Sequence, residues 1–148
     1  MKKTIFSLAI SAALLGSVAT YAANENPGML VKESFTKEFT KVKDVEWTTI
    51  SKEGVYQATF IFNNESLQAF FAADGEFLGT TRQVSKSQLP ILVVTELDKK
   101  YPDARIATIF EYSKKDGLAY YITLVGNKGG VIVRATGDGE LVVQKKNL

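Results

Sequence analysis

The chain has 148 residues, with 18 Lys and Arg against 16 Asp and Glu, and it contains neither His nor Cys. Without Cys there are no disulfides, thiolate nucleophiles or cysteine-bearing zinc sites, and without His there is no Ser-His-Asp triad and little prospect of a zinc, copper or non-haem iron site. A hydrophobic content of 45% is that of a globular domain, so the composition leaves few kinds of catalyst open.

Residues 1–22 have the pattern of a cleaved secretory signal peptide. Lys2 and Lys3 form a positive start, an apolar run follows, and small side chains precede a cut that we expect after Ala22, or after Ala19. The apolar run is too short and wrongly flanked for a membrane span. The sequence therefore predicts an exported protein, periplasmic or secreted.

Residues 23–28 are polar and predict a short flexible lead. Cleavage also changes the charge, because Lys2 and Lys3 leave with the signal peptide and the acidic residues all remain. The mature chain is then close to neutral. A neutral chain with dispersed lysines argues against nucleic acid as a partner, and the mature chain is predicted to have no membrane span.

Residues 29–84 predict one helix followed by four strands. Apolar residues recur at helical spacing from Met29 to Lys41, and strand-like alternation follows until position 84. The strand-like stretches are separated by short turn signals, among them an Asn-Asn pair and an Asp-Gly pair that favour tight hairpins. The predicted strands cover residues 45–50, 55–62, 66–73 and 76–84.

Residues 85–148 predict the same order of elements. Ser85 or Ser87 can cap a second helix, which Pro102 ends. Further hairpin signals rich in Gly separate the strands that follow. These predicted strands cover residues 106–112, 118–125, 130–136 and 140–146.

The two halves share landmarks at an offset of 62 to 64 residues, such as Gly54 with Gly117 and Tyr56 with Tyr120. A constant offset favours duplication over chance. The sequence therefore predicts an α+β fold, a tandem duplication of a helix plus a four-stranded antiparallel meander. The two units are expected to form one compact unit with a broad curved sheet and helices on one face.

Several short motifs resemble the PepSY-like family of secreted periplasmic proteins. They include Phe35-x3-Phe39, Val45-x-Trp47 and the run from Ala69 to Glu76 that contains Asp-Gly-Glu. The resemblance implies a fold similar to that of beta-lactamase inhibitory protein and a periplasmic setting. It implies little about activity, and the inhibitor comparison is an analogy of fold. The disulfide-braced loops of that inhibitor cannot be transferred to a chain without Cys.

Aromatic side chains on predicted strands are the candidate contacts for a partner. Tyr120 and Tyr121 are adjacent, so they point to opposite faces of a sheet, and the same holds for Phe70 and Phe71. One member of each pair is expected in the core, and the other is a candidate surface aromatic. Trp47 is either core or an exposed anchor. The candidates for partner binding are Trp47, Phe70, Tyr120 and Tyr121.

Two acidic turns are weak calcium candidates, through Asp74 and Glu76 in one and Asp138 and Glu140 in the other. Calcium takes six to eight oxygen ligands, and each turn offers only two carboxylates. Hairpin chemistry explains Asp-Gly without a metal, because Gly takes the positive φ that the turn needs. Structural turns are the favoured interpretation, and no cofactor is predicted.

The leading hypothesis is a non-enzymatic exported binding module that presents an open sheet face to a protein or peptide, in one version as an inhibitor. The alternative is a small-ligand or calcium-responsive periplasmic domain. A hydrolase is a third reading, built on carboxylates such as Asp44 with Glu46, or on a serine beside Lys86. Helix capping explains those serines and nothing marks the carboxylates as buried, so the sequence favours no enzyme.

Overall fold

The structure is a computed structural model, and it describes residues 26–50, 54–127 and 129–146. The predicted signal peptide and the first part of the predicted flexible lead lie outside the described residues. Among the residues that are described, no helix has the length and apolar character needed to cross a membrane.

The described residues form two α-helices, a short 3₁₀ helix and eight strands in a simple chain order. Most bounds lie within a few residues of those that the hydrophobic periodicity predicts. The elements are α1 (Met29–Glu38), β1 (Glu46–Thr49), β2 (Tyr56–Phe62), β3 (Glu65–Phe71), β4 (Phe77–Gln83), the 3₁₀ helix (Lys86–Gln88), α2 (Ile91–Lys100), β5 (Arg105–Lys114), β6 (Gly117–Gly126), β7 (Gly129–Thr136) and β8 (Leu141–Lys146).

All eight strands belong to one sheet, in the order β1-β2-β3-β4-β5-β6-β7-β8. The pairings whose register is resolved are antiparallel, as short connections require. The predicted hairpin between β2 and β3 is confirmed, because Asn63 and Asn64 both take positive φ and Phe62 pairs with Glu65. Asn is among the residues that tolerate this conformation.

The predicted tandem duplication of a helix plus a four-stranded meander is wrong. The described residues form one eight-stranded sheet with two α-helices, in which β4 is followed by its neighbour β5 and does not close a separate meander. Just beyond β4, the Val84 N–H donates to the Ile109 carbonyl of β5 at 3.0 Å. A recurring offset between landmarks therefore does not determine how the strands are grouped into sheets.

The chain separates into two compact units, one ending at Thr81 and the other beginning at Arg82. We call them unit 1 and unit 2. The predicted boundaries of the two halves, residues 29–84 and 85–148, stay predictions.

Unit 1 has an aromatic core beneath α1. The helix buries Val31 and Phe35 because they lie one helical turn apart on the same face. The Phe35 ring centroid lies 5.2 Å from that of Phe60, 5.3 Å from that of Trp47 and 6.0 Å from that of Phe71. All three contacts are edge-to-face, the arrangement that aromatic quadrupoles favour. Phe35 is therefore the centre of the contact between α1 and the sheet.

Unit 2 has a largely aliphatic core beneath α2. Val93 and Leu97 of the helix are buried one turn apart. They pack in one cluster with strand residues that all point to the same side of the sheet, which include Ile109, Tyr120, Ile122, Leu124, Val133 and Ala135. Alternate residues of β6 enter this cluster, as the two-residue repeat of a strand requires.

One hairpin turn in each unit abuts the first turn of the helix of that unit. A Cβ on Gly75 would lie 2.8 Å from the Leu30 carbonyl oxygen, and a Cβ on Gly139 would lie 3.2 Å from that of Leu92. The two glycines have φ of 88° and 92°. Each turn therefore needs glycine both for its backbone conformation and for the close approach of the helix.

We expect Gly75→Ala to lower the free energy of unfolding by at least ~2 kcal/mol, because a positive φ costs about 1–2 kcal/mol with a Cβ and the new methyl group meets a backbone oxygen. Gly139→Ala has the same φ penalty with a looser contact, so its cost is expected to be smaller. Urea unfolding measures both. Gly137→Ala is the matched control, because nothing lies within 4 Å of its Cβ position. Equal losses in all three variants would contradict the expected helix contact.

Candidate functional site

The strands of unit 2 turn one face toward α2 and the other away from it. We call the second the distal face. Tyr120, Ile122 and Leu124 of β6 lie in the α2 core, so Tyr121 and Thr123 between them belong to the distal face.

Cross-strand pairing extends the distal face over four strands. The central row joins Phe110, Tyr121, Arg134 and Val142, one residue from each of β5 to β8. A second row contains Tyr112, Ala119 and Thr136, and a third contains Thr108, Thr123, Ile132 and Lys145. The β5–β6 side of this face is therefore aromatic, and its cations lie on β7 and β8.

Exposure differs across the distal face. Tyr121 and Ile132 are buried, with 4% and 1% of their surface exposed. Arg134, Phe110 and Tyr112 are partly exposed, and Val142 at the edge of the sheet is 41% exposed. The surface that another molecule can reach is thus the ring of residues around Tyr121 and Ile132.

Tyr112 and Tyr121 form an aromatic pair on this face. Their ring centroids are 6.3 Å apart and the rings are nearly perpendicular. Burial, together with the smaller effects of the neighbouring Tyr121 and Asp116, raises the pKa of Tyr112 to about 12. The Tyr112 phenol therefore stays protonated at physiological pH, where its hydroxyl can both donate and accept a hydrogen bond.

On the opposite face, Arg82 and Glu111 form an ion pair. Arg82 Nε donates to Glu111 Oε1 at 2.8 Å, and Nη2 reaches Oε2 at 3.4 Å. Tyr120 lies opposite Glu111. Burial raises the pKa of Tyr120, the Glu111 charge also raises it, and the Arg82 charge lowers it. Because both carboxylate oxygens of Glu111 accept from Arg82, this pair links the end of β4 to β5 and leaves no free base.

The structure places Trp47 and Phe70 inside unit 1. Trp47 packs in the partly buried margin of the aromatic core, and Phe71 lies in that core with none of its surface exposed. Phe70 points to the other side of the sheet, where it pairs with Gln57 and Gly79, and it is also fully buried. Because Gly79 has no side chain, the neighbouring strand leaves space for the Phe70 ring. As partner contacts Trp47 and Phe70 stay predictions, and neither ring stands out into solvent.

Tyr120 and Tyr121 point to opposite faces, and each has only 4% of its surface exposed. Period-two geometry alone led us to expect one of the two at the surface, but β6 is paired on both sides and its neighbours shield both rings. Tyr120 belongs to the α2 core, whereas Tyr121 lies in the central row of the distal face. Of the proposed partner contacts, Tyr121 is the one that the structure brings into a cluster with other candidate surface residues.

The acidic turns form hydrogen bonds within themselves. Asp74 Oδ1 accepts from the Glu76 N–H at 3.0 Å, and Asp138 Oδ1 accepts from the Thr136 hydroxyl and from the Glu140 N–H. The Thr136 hydrogen bond lowers the pKa of Asp138, and the backbone hydrogen bond lowers it further. Among the described residues, no group of three or more acidic side chains could hold a metal ion. The carboxylates of these turns therefore support the hairpins, and calcium binding there stays a prediction.

The serines and the lysine considered for hydrolysis have structural partners. Ser85 begins the 3₁₀ turn, where its N–H donates to Gln88 Oε1 at 2.9 Å and its hydroxyl lies 2.8 Å from that of Ser87. Lys86 Nζ instead pairs with Asp98 at 3.0 Å. The local arrangement is thus a capped turn beside an ion pair, and the lysine amine is not directed at a serine.

The sequence analysis did not single out Tyr112 and Arg134. Both lie in strands that were predicted, but their place beside Tyr121 depends on the register of β5, β6 and β7. A weak signal was present, because Phe110 and Tyr112 alternate along one strand and so share a face. Which residue of a neighbouring strand they meet follows only from pairing.

Comparison with known proteins agrees with this architecture. No protein-family model matches the chain, and no curated protein matches it in sequence. Solved structures do match: a DUF2874 family protein from Bacteroides ovatus has a TM-score of 0.73 at 20% identity, over 82% of this chain and 89% of that one. A protein from Bacteroides eggerthii, provisionally described as periplasmic, has a TM-score of 0.70 at 15% identity, over 82% and 90%.

A BLIP-like protein from Bacteroides fragilis also matches, with a TM-score of 0.66 at 19% identity, over 82% of this chain and 87% of that one. At such identities the likeness concerns the fold alone. The chain therefore has a BLIP-like fold, shared with DUF2874 family proteins, and the resemblance to the PepSY-like family is not confirmed.

The raised pKa of Tyr112 gives a pH dependence. The neutral phenol is favoured in the folded state, so its contribution to stability is present below about pH 10, the ordinary tyrosine pKa, and is lost as the pH rises through about 12. We expect Tyr112→Phe to remove a tyrosinate absorbance step with a midpoint near 12 and to flatten the fall in unfolding free energy above pH 10. An unchanged titration curve in the variant would contradict the burial of this phenol.

Proposed function

We propose that the chain is an exported, non-enzymatic binding module that presents the distal face of unit 2 to a protein or peptide. The observation that carries the proposal is the central row of that face. It places the partly exposed Phe110 and Arg134 on either side of the buried Tyr121, and aromatic residues with arginine are the side chains enriched where proteins bind one another.

The titratable groups support a role without catalysis. General acids and bases work best with a pKa near the operating pH. The resolved shifts in the described residues all lead away from neutrality: they lower the pKa of Glu96 and Asp138 and raise that of Tyr112 and Tyr120. Thr81 is the one residue classed as both polar and buried in the described part of the chain. No acidic side chain in that part is therefore buried deeply enough for loss of solvent to raise its pKa toward neutrality.

Export to the periplasm is the proposed setting. The start of the sequence has the pattern of a signal peptide, and one structural neighbour is itself described, provisionally, as periplasmic. A role as an inhibitor of an exported hydrolase is one form of the proposal. It draws on the BLIP-like fold, which alone carries no residue-level correspondence.

A small ligand is the second candidate occupant of unit 2, because a groove of about 580 Å³ lies at one end of the unit. Tyr101, Leu124 and Val131 contribute its apolar part, and Lys100 and Lys146 also line it. A volume of this size falls within the range of small-molecule sites. The groove is separate from the central row, so the two candidates can be tested at different residues.

Site-specific photo-crosslinking in cells that export the chain tests the proposed face. A benzophenone side chain replaces Val142 or Phe110, which both belong to the central row. We expect these two positions to yield a protein adduct, because the groups that they replace would lie within the interface.

Ile91 is the matched control for that experiment. It is an aliphatic residue of the same unit, 75% exposed, and it begins α2 on the other side of the sheet. Adducts at Ile91 with none at Val142 and Phe110 would place the partner on the helix side and contradict the proposal. The absence of adducts at all three positions in exported protein would also contradict it.

A further inference from the structure

Arg134 is a cation without a partner in the described part of the chain. Its guanidinium makes no hydrogen bond and no ion pair there, whereas the side chains of Arg82, Lys86, Lys99 and Lys114 each pair with a carboxylate. Arg134 is also only partly exposed, because it lies in the middle of a strand rather than on a turn. A guanidinium that is partly removed from water and has no anion beside it is incompletely compensated.

No strand residue on the distal face supplies a carboxylate for this role. Glu111 is the one acidic residue in strands β5 to β8, and it lies on the opposite face, where Arg82 holds it. Lys145 adds a second exposed cation at the end of the third row. The strand side chains of this face therefore carry positive charge, and the nearest acidic residues, Asp116 and Asp138, lie in turns at its margin.

We propose that the distal face of unit 2 recognises a protein segment that carries an Asp or Glu next to an aromatic or aliphatic residue, with Arg134 as the anchor for the carboxylate. This inference rests on the proposed function and adds the chemistry of the partner. The planar guanidinium presents paired donors that match the two oxygens of a carboxylate.

The neighbours of Arg134 define the rest of the segment. Tyr121 lies directly opposite on β6, and Val142 lies opposite on β8. A carboxylate on Arg134 thus has the exposed Val142 within one strand spacing, about 5 Å, on one side, and the partly exposed Phe110 two strand spacings away on the other. A segment with an acidic residue adjacent to an apolar one can contact both Arg134 and its apolar neighbours. A polyanion would contact Arg134 but would make no apolar contact with the aromatic side of the face.

Nucleic acid and anionic lipid fit the same surface less well. Both are bound through clusters of Lys and Arg, and their affinity grows with the number of charges that are neutralised. The central row offers one cation, and the aromatic ring of Tyr121 beside it is buried rather than available for stacking on a base. A single arginine within apolar surface matches a protein side chain.

Arrays of short synthetic peptides test the inference with the mature chain as probe. One set carries Glu-Phe or Asp-Tyr at its centre within varied flanks, and a second set carries Gln-Phe or Asn-Tyr in the same flanks. We expect the acidic set to bind at least about tenfold more tightly, which corresponds to ~1.4 kcal/mol. Arg134→Gln should remove this preference while leaving the melting temperature within a few degrees of wild type.

Two further variants separate charge from geometry. Arg134→Lys keeps the charge and loses the fork of donors, so we expect it to retain part of the preference. Arg134→Glu should reverse the preference toward peptides with Lys at the centre. Lys99→Gln is the control, because it removes the same charge from α2, where Lys99 pairs only with Glu96.

The outcomes distinguish this inference from the proposed function. If acidic and amide peptides bind equally, and Arg134→Gln changes neither, the role of Arg134 is overturned while peptide binding itself stands. If Lys99→Gln loses the preference as fully as Arg134→Gln does, general charge is responsible and the inference fails. Binding to phosphatidylglycerol vesicles with none to the acidic peptides would overturn it in favour of a lipid surface.

Discussion

The alternation of side chains along paired strands is the constraint on which this structure depends. A strand presents successive residues to opposite faces, and hydrogen bonding to its neighbours aligns those residues into rows. In unit 2 this produces one face that packs against α2 and another that carries the row from Phe110 to Val142. A shift of register by one residue would exchange the two faces and place Arg134 in the core.

Contacts with the helices and with the hairpin turns also stabilise the sheet, on the face that the helices cover. In unit 1, Phe35 fills the space between α1 and the strands with edge-to-face aromatic contacts. Glycine turns then allow a close approach to the start of each helix, as Gly75 does at Leu30. Because a methyl group does not fit there, the turn residues contribute to packing and not only to chain reversal. The positions of the helices are thus determined by both core and turn.

The distribution of charge links this scaffold to the proposed function. Glu111 and Arg82 compensate each other on the helix side, so the strand carboxylate of unit 2 is unavailable to the distal face. Arg134 is left among aromatic and aliphatic neighbours. A charge that is paired within the fold is already compensated, whereas a partly buried charge without a partner favours association with an opposite charge. A chain that lacks His and Cys can therefore still bind another protein through Arg134 and its apolar neighbours.

The sequence by itself determined the helices, the strands and the hairpin turns, because hydrophobic periodicity and turn residues act over a few positions. It also excluded Cys and His chemistry. Only the tertiary structure decided that β4 and β5 are neighbours in one sheet and in which register the strands pair, since an offset between landmarks such as Asp74 and Asp138 carries no information about pairing. Pairing likewise decided the environment of Tyr121, which is shielded by neighbours far away in sequence, and brought Arg134 beside it. Burial and cross-strand contact are sums over distant residues, so a local pattern could place these side chains on a face but could not determine what they meet.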